Sequence, residues 1–338
     1  MKIDNNQSRF EKIIVDADRN LIMSAKYVQE DYIIVHNKLT GYEKEFANIS
    51  TFWGLGKEIK GELREWMNLI GSDVPKEDFE ISYHSRLRDD LDNHLEEAKI
   101  QFSYFVSQLK NLPYSDQYVL CIGGEGNFRY DIATILPYKG QRKEKPILFE
   151  QLKQEIISQY KNKIHLANGI EADDLLGIYA AESQKHFRKT GQYKYLLAYV
   201  DKDLNQLWGP HIKLGEFDKG ISYITPLEAA MSFGTQCLMG DATDFIKGLE
   251  GLTEEIRDKY DLRKGKGCGE ASARNIIKGC ATPKEVMERV VECYKAWYEE
   301  DWKSPFEENA RLLWMLRTPD IDWNVFTDLL DKLGVNYG

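Results

Sequence analysis

The chain has little cysteine, and what it has shows no pairing pattern. Cys121, Cys237, Cys268, Cys280 and Cys293 are odd in number, widely scattered and form no Cys-x-x-Cys. That argues against a disulfide framework or a zinc knuckle and for a reducing cytoplasm. Six isolated histidines give no zinc-ligand spacing either. No apolar run approaches a bilayer span, and Met1-Lys2-Ile3-Asp4-Asn5-Asn6 has no apolar signal core, so nothing in it directs export. There is no internal repeat, no low-complexity segment and no basic surplus: 45 Lys and Arg against 55 Asp and Glu leave a net charge of -10. A polyanion-binding chain normally shows the opposite balance, so net charge decides nothing and clusters must be sought instead. The 338 residues suffice for one large α/β domain with an appended helical part.

What is present is a series of apolar strands ending in acids. Lys12-Ile13-Ile14-Val15 runs into Asp16-Ala17-Asp18, and Tyr118-Val119-Leu120-Cys121-Ile122 into Gly123-Gly124-Glu125-Gly126. Ile164-His165-Leu166-Ala167 leads through Gly169 to Glu171-Ala172-Asp173-Asp174, and Tyr195 to Val200 ends in Asp201-Lys202-Asp203. Such runs alternating with helical patterns predict right-handed βαβ units and a mostly parallel central sheet flanked by helices. Ligands of these sheets gather at the carboxyl ends of the strands, where the acids fall. Past residue 224 the pattern turns helical. Thr225-Pro226-Leu227-Glu228, Thr282-Pro283-Lys284-Glu285 and Ser304-Pro305-Phe306-Glu307 each offer a hydroxyl N-cap, Pro at the first helical position and a capping-box Glu. Residues 38–92 carry no comparable signal, apart from an amphipathic stripe of Ile59, Leu63, Trp66 and Ile70 that predicts a packing helix. A helix from Asn93 to Leu109 is expected to feed the second strand.

Four segments pair acids: Asp16/Asp18, Glu171/Asp173/Asp174, Asp201/Asp203 and Asp241/Asp244. One such pair is ordinary, because carboxylates suit helix N-termini. Four pairs, three of them following apolar strands, are repulsive at one sheet edge unless cations neutralise them. Oxygen-only donors select Mg²⁺ or Mn²⁺. Two such ions about 3.5–4 Å apart would activate a water and stabilise the leaving oxygen of a phosphodiester.

The order and wording of these segments, from Ile13 to about Thr318, resemble the 5′→3′ exonuclease/flap endonuclease family of bacteriophages and DNA polymerase I. Gly169-Ile170-Glu171-Ala172-Asp173-Asp174 is the most specific match. Val15 to Asp18, Val200 to Leu207 and Met239-Gly240-Asp241-Ala242-Thr243-Asp244 are similar to three further family motifs. The resemblance implies a PIN-like nuclease core over residues 1–224, with an insertion at about 38–92 and an arch or gateway at about 125–150. It implies a helical DNA-binding part over 225–338 with a helix–three-turn–helix. Asp16, Glu171, Asp173 and Asp174 would serve one metal ion, and Asp201, Asp203 and Asp244 the other, with Asp241 close by. Arg129 and Lys139 would meet the scissile phosphate, while Arg142, Lys143 and Lys145 would steer a single strand. Gly248, Gly251, Lys266, Gly267 and Gly269 would approach the DNA backbone, with the following helix adding its positive end. The family often holds K⁺ there, but residues 253–264 interrupt the motif in this chain. Many relatives carry an Asp after the second strand, where this chain has Gly123-Gly124; either Glu125 substitutes by a one-residue shift or the site manages without that carboxylate, and Asp18 and Glu125 are candidate extra metal ligands.

The expected activity is metal-dependent hydrolysis of DNA or RNA–DNA near 5′ ends or flaps, in phage replication or recombination. A PIN-type ribonuclease shares the acid layout on a smaller domain. A DNA-structure binder with a degraded nuclease site is the non-enzymatic alternative, and only the Gly124 departure favours it. A phosphatase fits less well, because neither Thr nor Val follows Asp18.

Overall fold

A computed structural model describes residues 10–54, 62–70, 76–142, 144–263, 265, 267–321 and 324–335. The chain opens with β1 (Lys12–Asp16), α1 (Asp18–Tyr27), β2 (Gln29–Asn37), β3 (Glu43–Phe46), α2 (Ile49–Trp53), α3 (Glu62–Ile70) and β4 (Phe79–Leu87). There follow α4 (His94–Lys110), β5 (Tyr118–Gly123), α5 (Arg129–Ile132), α6 (Phe149–Gln159), β6 (Ile164–Ala167), α7 (Ala172–Thr190), β7 (Tyr195–Tyr199), β8 (Gly209–Lys213) and β9 (Ser222–Ile224). The remainder is helical: α8 (Pro226–Met239), α9 (Glu254–Lys259), α10 (Glu270–Ile277), α11 (Pro283–Tyr298), α12 (Lys303–Leu313) and α13 (Asn324–Leu333). Two compact units emerge: Met1–Arg19 with Ser107–Lys143 and Tyr160–Gly338, and Asn20–Val106 with Glu144–Gln159.

The first unit holds a six-stranded sheet of order β6-β5-β1-β7-β8-β9. All four expected strands are there and parallel, with β1 between β5 and β7. The runs are apolar because both faces are covered; Ile13, Ile14, Leu120 and Ile122 are fully buried. Two strands lacked a sequence signal. β8 is parallel to β7, and β9 returns antiparallel to β8. Gly209-Pro210 hid β8; both stand at its start, before the register with β7 begins at His211, where Pro is tolerated. After β9, helices α8, α10, α11 and α12 enclose their own core, including Phe233, Tyr294 and Phe306.

Two of the three expected helix starts are built as read. Thr225 and Glu228 form a reciprocal capping box at α8, and Thr282 accepts from the amide of Glu285 at α11. The third is a correction. α12 begins at Lys303 after Trp302, whose φ of -62° and ψ of -28° are already helical, so Ser304 lies inside the first turn and caps nothing. Pro305 is tolerated there because first-turn amides have no intrahelical acceptor.

The second unit holds an antiparallel sheet of order β3-β2-β4, absent from the expectations for residues 38–92. Ile33 and Val35 alternate with outward Tyr32 and Ile34, and pack with Phe46, Phe52, Leu63, Trp66 and Phe79. The expected stripe residues Leu63 and Trp66 thus do face a core, on α3. Ile59 lies outside the described residues.

Candidate active site

The chain leaves β1 for β5 and β6 on one side, then crosses to β7 on the other. That reversal opens a crevice at the carboxyl end of β1, where Asp16 emerges. Asp16 is 6% exposed, and its Oδ1 accepts from the amide of Asp18 at 3.2 Å. Asp18 turns toward β5, where its Oδ1 accepts from the amide of Gly123 at 2.9 Å.

The end of β5 has no side chain and little room for one. A Cβ on Gly124 would stand 2.1 Å from Asn168 Oδ1 and 2.9 Å from the carbonyl of Ala167. A Cβ on Gly123 would meet chiefly the Asp18 carboxylate, at 2.9 Å. Glu125 is exposed, outside the cleft described below, and its amide donates to Asn168 Oδ1 at 3.2 Å.

Glu171 caps α7 and forms a capping box with Asp174, whose Oδ2 accepts the Glu171 amide at 3.0 Å. Asp174 and Asp173 then diverge. Asp174 is fully buried and takes a bidentate pair from Arg129 at 2.7 and 2.8 Å. Burial pushes its carboxyl up, but Arg129 prevails and holds it below the usual range. Arg129, 3% exposed, also donates to the carbonyls of Leu312 and Trp314, each at 2.9 Å, and its Nη1 stands 3.9 Å from Glu171, so it is engaged inside the protein.

Glu171 accepts from Asn127 Nδ2 at 2.8 Å, from Tyr138 Oη at 3.0 Å, and from Lys139 Nζ. Asp244 is bound by the same pair, Tyr138 at 3.1 Å and Lys139 Nζ at 3.6 Å, and by Arg142 at 2.9 Å. Tyr138 thus bridges two acids 73 positions apart in the chain. Burial and Glu171 push its phenol up, so it remains a donor. Lys139 reaches this place from a left-handed backbone of φ 56°, its amide donating to the carbonyl of Asp244 at 2.9 Å.

The other acids meet other acids. Burial, then Asp18 and Asp201, raise Asp16 to about 7. Burial with Asp16, Glu171 and Asp201 pushes Asp173 well up, and burial with Asp201 and Asp241 raises Asp203 to about 7. Among the described residues, Asp16, Asp173, Asp201, Asp203 and Asp241 form no ion pair with Lys or Arg. A cleft of about 840 Å³ is lined by Glu171, Asp173, Asp201, Asp203, Asp241 and Asp244, by Lys139 and Arg142, and also by Lys202, Arg274 and Lys278.

No three carboxylates among the described residues close on one point as arranged. The donor set still suits a hard divalent cation: it is all oxygen, anionic and short of partners. Mg²⁺ keeps several waters and needs only one or two direct carboxylates.

The glycines divide. Gly248 packs its α-carbon on the backbone of Gly240, where a Cβ would meet that amide at 2.2 Å, and Gly251 lies under the Trp297 ring. Both are tight because of the chain itself. Gly267 and Gly269 have open space around them, and Gly269 is the N-cap of α10. α9 occupies part of the interrupting stretch 253–264. Lys145, in the second unit, is exposed and pairs with Glu150 at 2.9 Å. Lys143 and Lys266 lie outside the described residues.

Residues 82–234 match the family described as 5′-3′ exonuclease, N-terminal resolvase-like domain. The resemblance to the 5′-3′ exonucleases holds. DNA polymerase I of Bacillus caldotenax and of Geobacillus stearothermophilus are each 30% identical over 150 residues, 40% of this chain. The chain spans 16% of the length of those relatives. Similar solved structures include a bacteriophage T5 flap endonuclease in a complex with DNA and metal ions, 14% identical over 63% of this chain and 90% of that one, TM-score 0.34. A T5 5′-exonuclease is 15% identical over 69% of this chain and 91% of that one, TM-score 0.35. Likeness of that degree adds nothing to the fold, which rests on the strand order. The exonuclease match contains Arg129, Lys139, Glu171, Asp173, Asp174, Asp201 and Asp203, but ends before Asp241 and does not reach back to Asp16.

Tyr138, Asn127 and Gln206 gave no sequence signal although they stand beside named candidates, because a neutral donor beside charged residues carries no charge of its own. Lys202, Arg274 and Lys278 were also missed; α10 places Arg274 and a residue four further on along the same rim.

Proposed function

We propose that this chain hydrolyses phosphodiester bonds of DNA, or of RNA–DNA hybrids, near 5′ ends or at 5′ flaps, with divalent cations. The observation that carries this reading is the unequal pairing of the acids. Glu171, Asp174 and Asp244 have cationic partners, while Asp173, Asp201, Asp203 and Asp241 line one cleft without them, and the buried Asp16 is coupled by charge to Asp173 and Asp201. Mg²⁺ or Mn²⁺ held by these five, one or two ions, supplies the Lewis acidity that phosphodiester hydrolysis needs. Lys139 and Arg142 stand at the rim of the acids, positioned to offset the negative charge that grows on a reacting phosphate. Tyr138 fixes the spacing of Glu171 and Asp244, and the Asp174–Arg129 pair fixes the start of α7.

For the DNA itself, Lys202, Arg274 and Lys278 also line the cleft, and Gly267 and Gly269 leave the amino end of α10 open to a backbone phosphate. Lys143, Lys145 and Lys266 are DNA-binding residues in our reading on the family resemblance alone, while Gly248 and Gly251 serve packing. K⁺ has no support beyond the family resemblance. That resemblance also favours a phage setting in the host cytoplasm; among the described residues no helix is long and apolar enough to cross a membrane.

Cleavage of 5′-labelled duplex, flap and RNA–DNA substrates with Mg²⁺ or Mn²⁺ tests the proposal. The expected result is short products from the 5′ side, abolished by chelator. Cleavage of single-stranded RNA alone would point to a PIN-type ribonuclease, and tight flap binding without products to a DNA-structure binder.

A further inference from the structure

Through the last residues of α12 and the irregular chain after it, residues 312–317, six backbone polar groups are taken by side chains. Arg129 donates to the carbonyls of Leu312 and Trp314, each at 2.9 Å. Gln206 donates to the carbonyl of Leu313 at 2.9 Å and accepts from the amide of Met315 at 3.1 Å. Asp174 accepts from the amide of Leu316 at 2.9 Å. The segment also lies hard against α7: a Cβ on Gly177 would stand 2.3 Å from the carbonyl of Leu316. Buried backbone must find partners somewhere, and an irregular segment normally draws them from scattered places. Here Arg129, Gln206 and Asp174 supply five of them, and Arg317, within the segment, donates to the carbonyl of Met315 at 2.6 Å. Two of the first three belong to the acid motifs, Asp174 next to Asp173, and Gln206 at the end of the turn that starts with Asp201 and Asp203.

We propose that residues 312–317 are a clamp that sets the distance between the acids opening α7 and those following β7, with Gln206 as its principal positioning residue. The inference rests on the nuclease reading of those acids. One end of the clamp is fixed to α7 by Asp174 and Arg129, and the other to the β7 turn by Gln206. Asp174, Gln206 and Arg129 are all buried and do not themselves line the cleft; they lie behind it, with Gln206 Nε2 3.5 Å from Oε1 of Gln236 and Arg129 3.9 Å from Glu171, both in its wall. Shifting the clamp therefore changes the spacing of Glu171 and Asp173 from Asp201 and Asp203, and leaves Arg274 and Lys278, on α10 and its carboxyl cap, in place. Groups that orient metal-holding residues from behind typically govern about 10–100-fold in metal affinity.

The test compares wild type with Gln206→Ala, which removes both bonds, and Gln206→Glu, which keeps the acceptor for Met315 and loses the donor to Leu313. Mn²⁺ affinity is measured by calorimetric titration, flap affinity by anisotropy in Ca²⁺, and amide hydrogen exchange at Met315 and Leu316 with and without Mn²⁺. Gln206→Ala should weaken Mn²⁺ binding about tenfold with flap affinity held within about twofold, and Gln206→Glu should fall between it and wild type. In wild type, Mn²⁺ should slow exchange at Met315 and Leu316, which cannot themselves touch an ion in the cleft. Unchanged Mn²⁺ affinity in Gln206→Ala overturns the clamp. If Gln206→Ala does not melt cooperatively, the exchange measurement on wild type decides: no slowing by Mn²⁺ overturns the clamp equally. A wild-type chain that cleaves no nucleic acid, yet shows Mn²⁺-dependent protection, refutes the nuclease reading and leaves the clamp standing.

Discussion

Glu171, Asp174 and Asp244 each lie against a Lys or Arg, whereas Asp16, Asp173 and Asp203 face other carboxylates. Both groups come from the same motifs and the same residue types. The difference lies in what surrounds them. A carboxylate beside a buried guanidinium has its charge satisfied and holds structure; one beside other carboxylates keeps an unmet demand for positive charge. The comparison predicts opposite phenotypes for neighbouring residues. Asp173→Asn or Asp201→Asn should cost roughly 10³-fold or more in single-turnover cleavage. Without divalent cations, Asp173→Asn should melt no lower than wild type, because a repulsion has been removed. Wild-type cleavage by either variant would dissolve the distinction.

Asp174→Asn tests the other side. It leaves Arg129 buried and unpaired, a change that typically costs about 3–5 kcal/mol, so denaturant titration should show a large loss of stability. Arg129→Ala should show a comparable loss. Should both variants unfold like wild type while cleavage alone disappears, Asp174 belongs with the metal-holding acids instead. Between these extremes stands Lys139, paired with two acids and yet open to the cleft. Lys139→Ala should slow the chemical step by roughly 10²-fold and change flap affinity much less. A variant with a wild-type single-turnover rate removes Lys139 from the chemistry.

The unpaired acids also set a pH signature. Burial first, and neighbouring carboxylates after it, raise Asp16 from 3.8 to about 7. Between those values the native state holds a proton that the unfolded chain releases, so stability without divalent ions falls as pH rises from about 4 to 7. The slope cannot exceed about 1.4 kcal/mol per pH unit for one such group. Cations compete with that proton, so the rise in melting temperature on adding Mg²⁺ should be larger at pH 8 than at pH 5. A Mg²⁺ effect independent of pH would contradict the sharing of one site by proton and metal.

How much of this was open to sequence reading differs by element. The four central strands were legible because burial on both faces writes a continuous apolar run. β2 and β4 were not, since a sheet with one face exposed mixes Glu30, Tyr32 and Arg86 among its core residues. The acid motifs were legible as motifs, but not the division of labour inside them. Asp173 and Asp174 are successive helix residues, about 100° apart around the axis, so one looks into the cleft and the other into the core. No adjacency in the chain says which. The glycines repeat the lesson: Gly251 and Gly269 look alike in a sequence, and only the Trp297 ring over one and the open space around the other separate them.

The smallest expected effect concerns the bare end of β5 and the two acids that could make up for it, Glu125 and Asp18. Their positions differ in kind. Glu125 is exposed, whereas Asp18 is half-buried and stands among the carboxylates that raise Asp16, so Glu125→Gln should leave the Mg²⁺ requirement for cleavage unmoved. Asp18 reaches across from α1, and its carboxylate sits where a side chain on Gly123 would point: a Cβ there would be 2.9 Å from Asp18 Oδ2. Asp18→Asn should therefore raise the Mg²⁺ requirement several-fold, with flap affinity unchanged, because five other acids remain. The steric argument makes a sharper demand. Gly123→Asp alone collides with Asp18 and should destabilise the fold, but combined with Asp18→Gly it returns a carboxylate to nearly the same place. The double variant should then regain much of the Mg²⁺ affinity that Asp18→Gly loses. Gly124→Asp should fail in either background, because Asn168 Oδ1 lies 2.1 Å from the new Cβ whatever occupies position 18. If Glu125→Gln shifts the titration and Asp18→Asn does not, the two acids exchange roles and the loop after β5 must turn inward when metal binds.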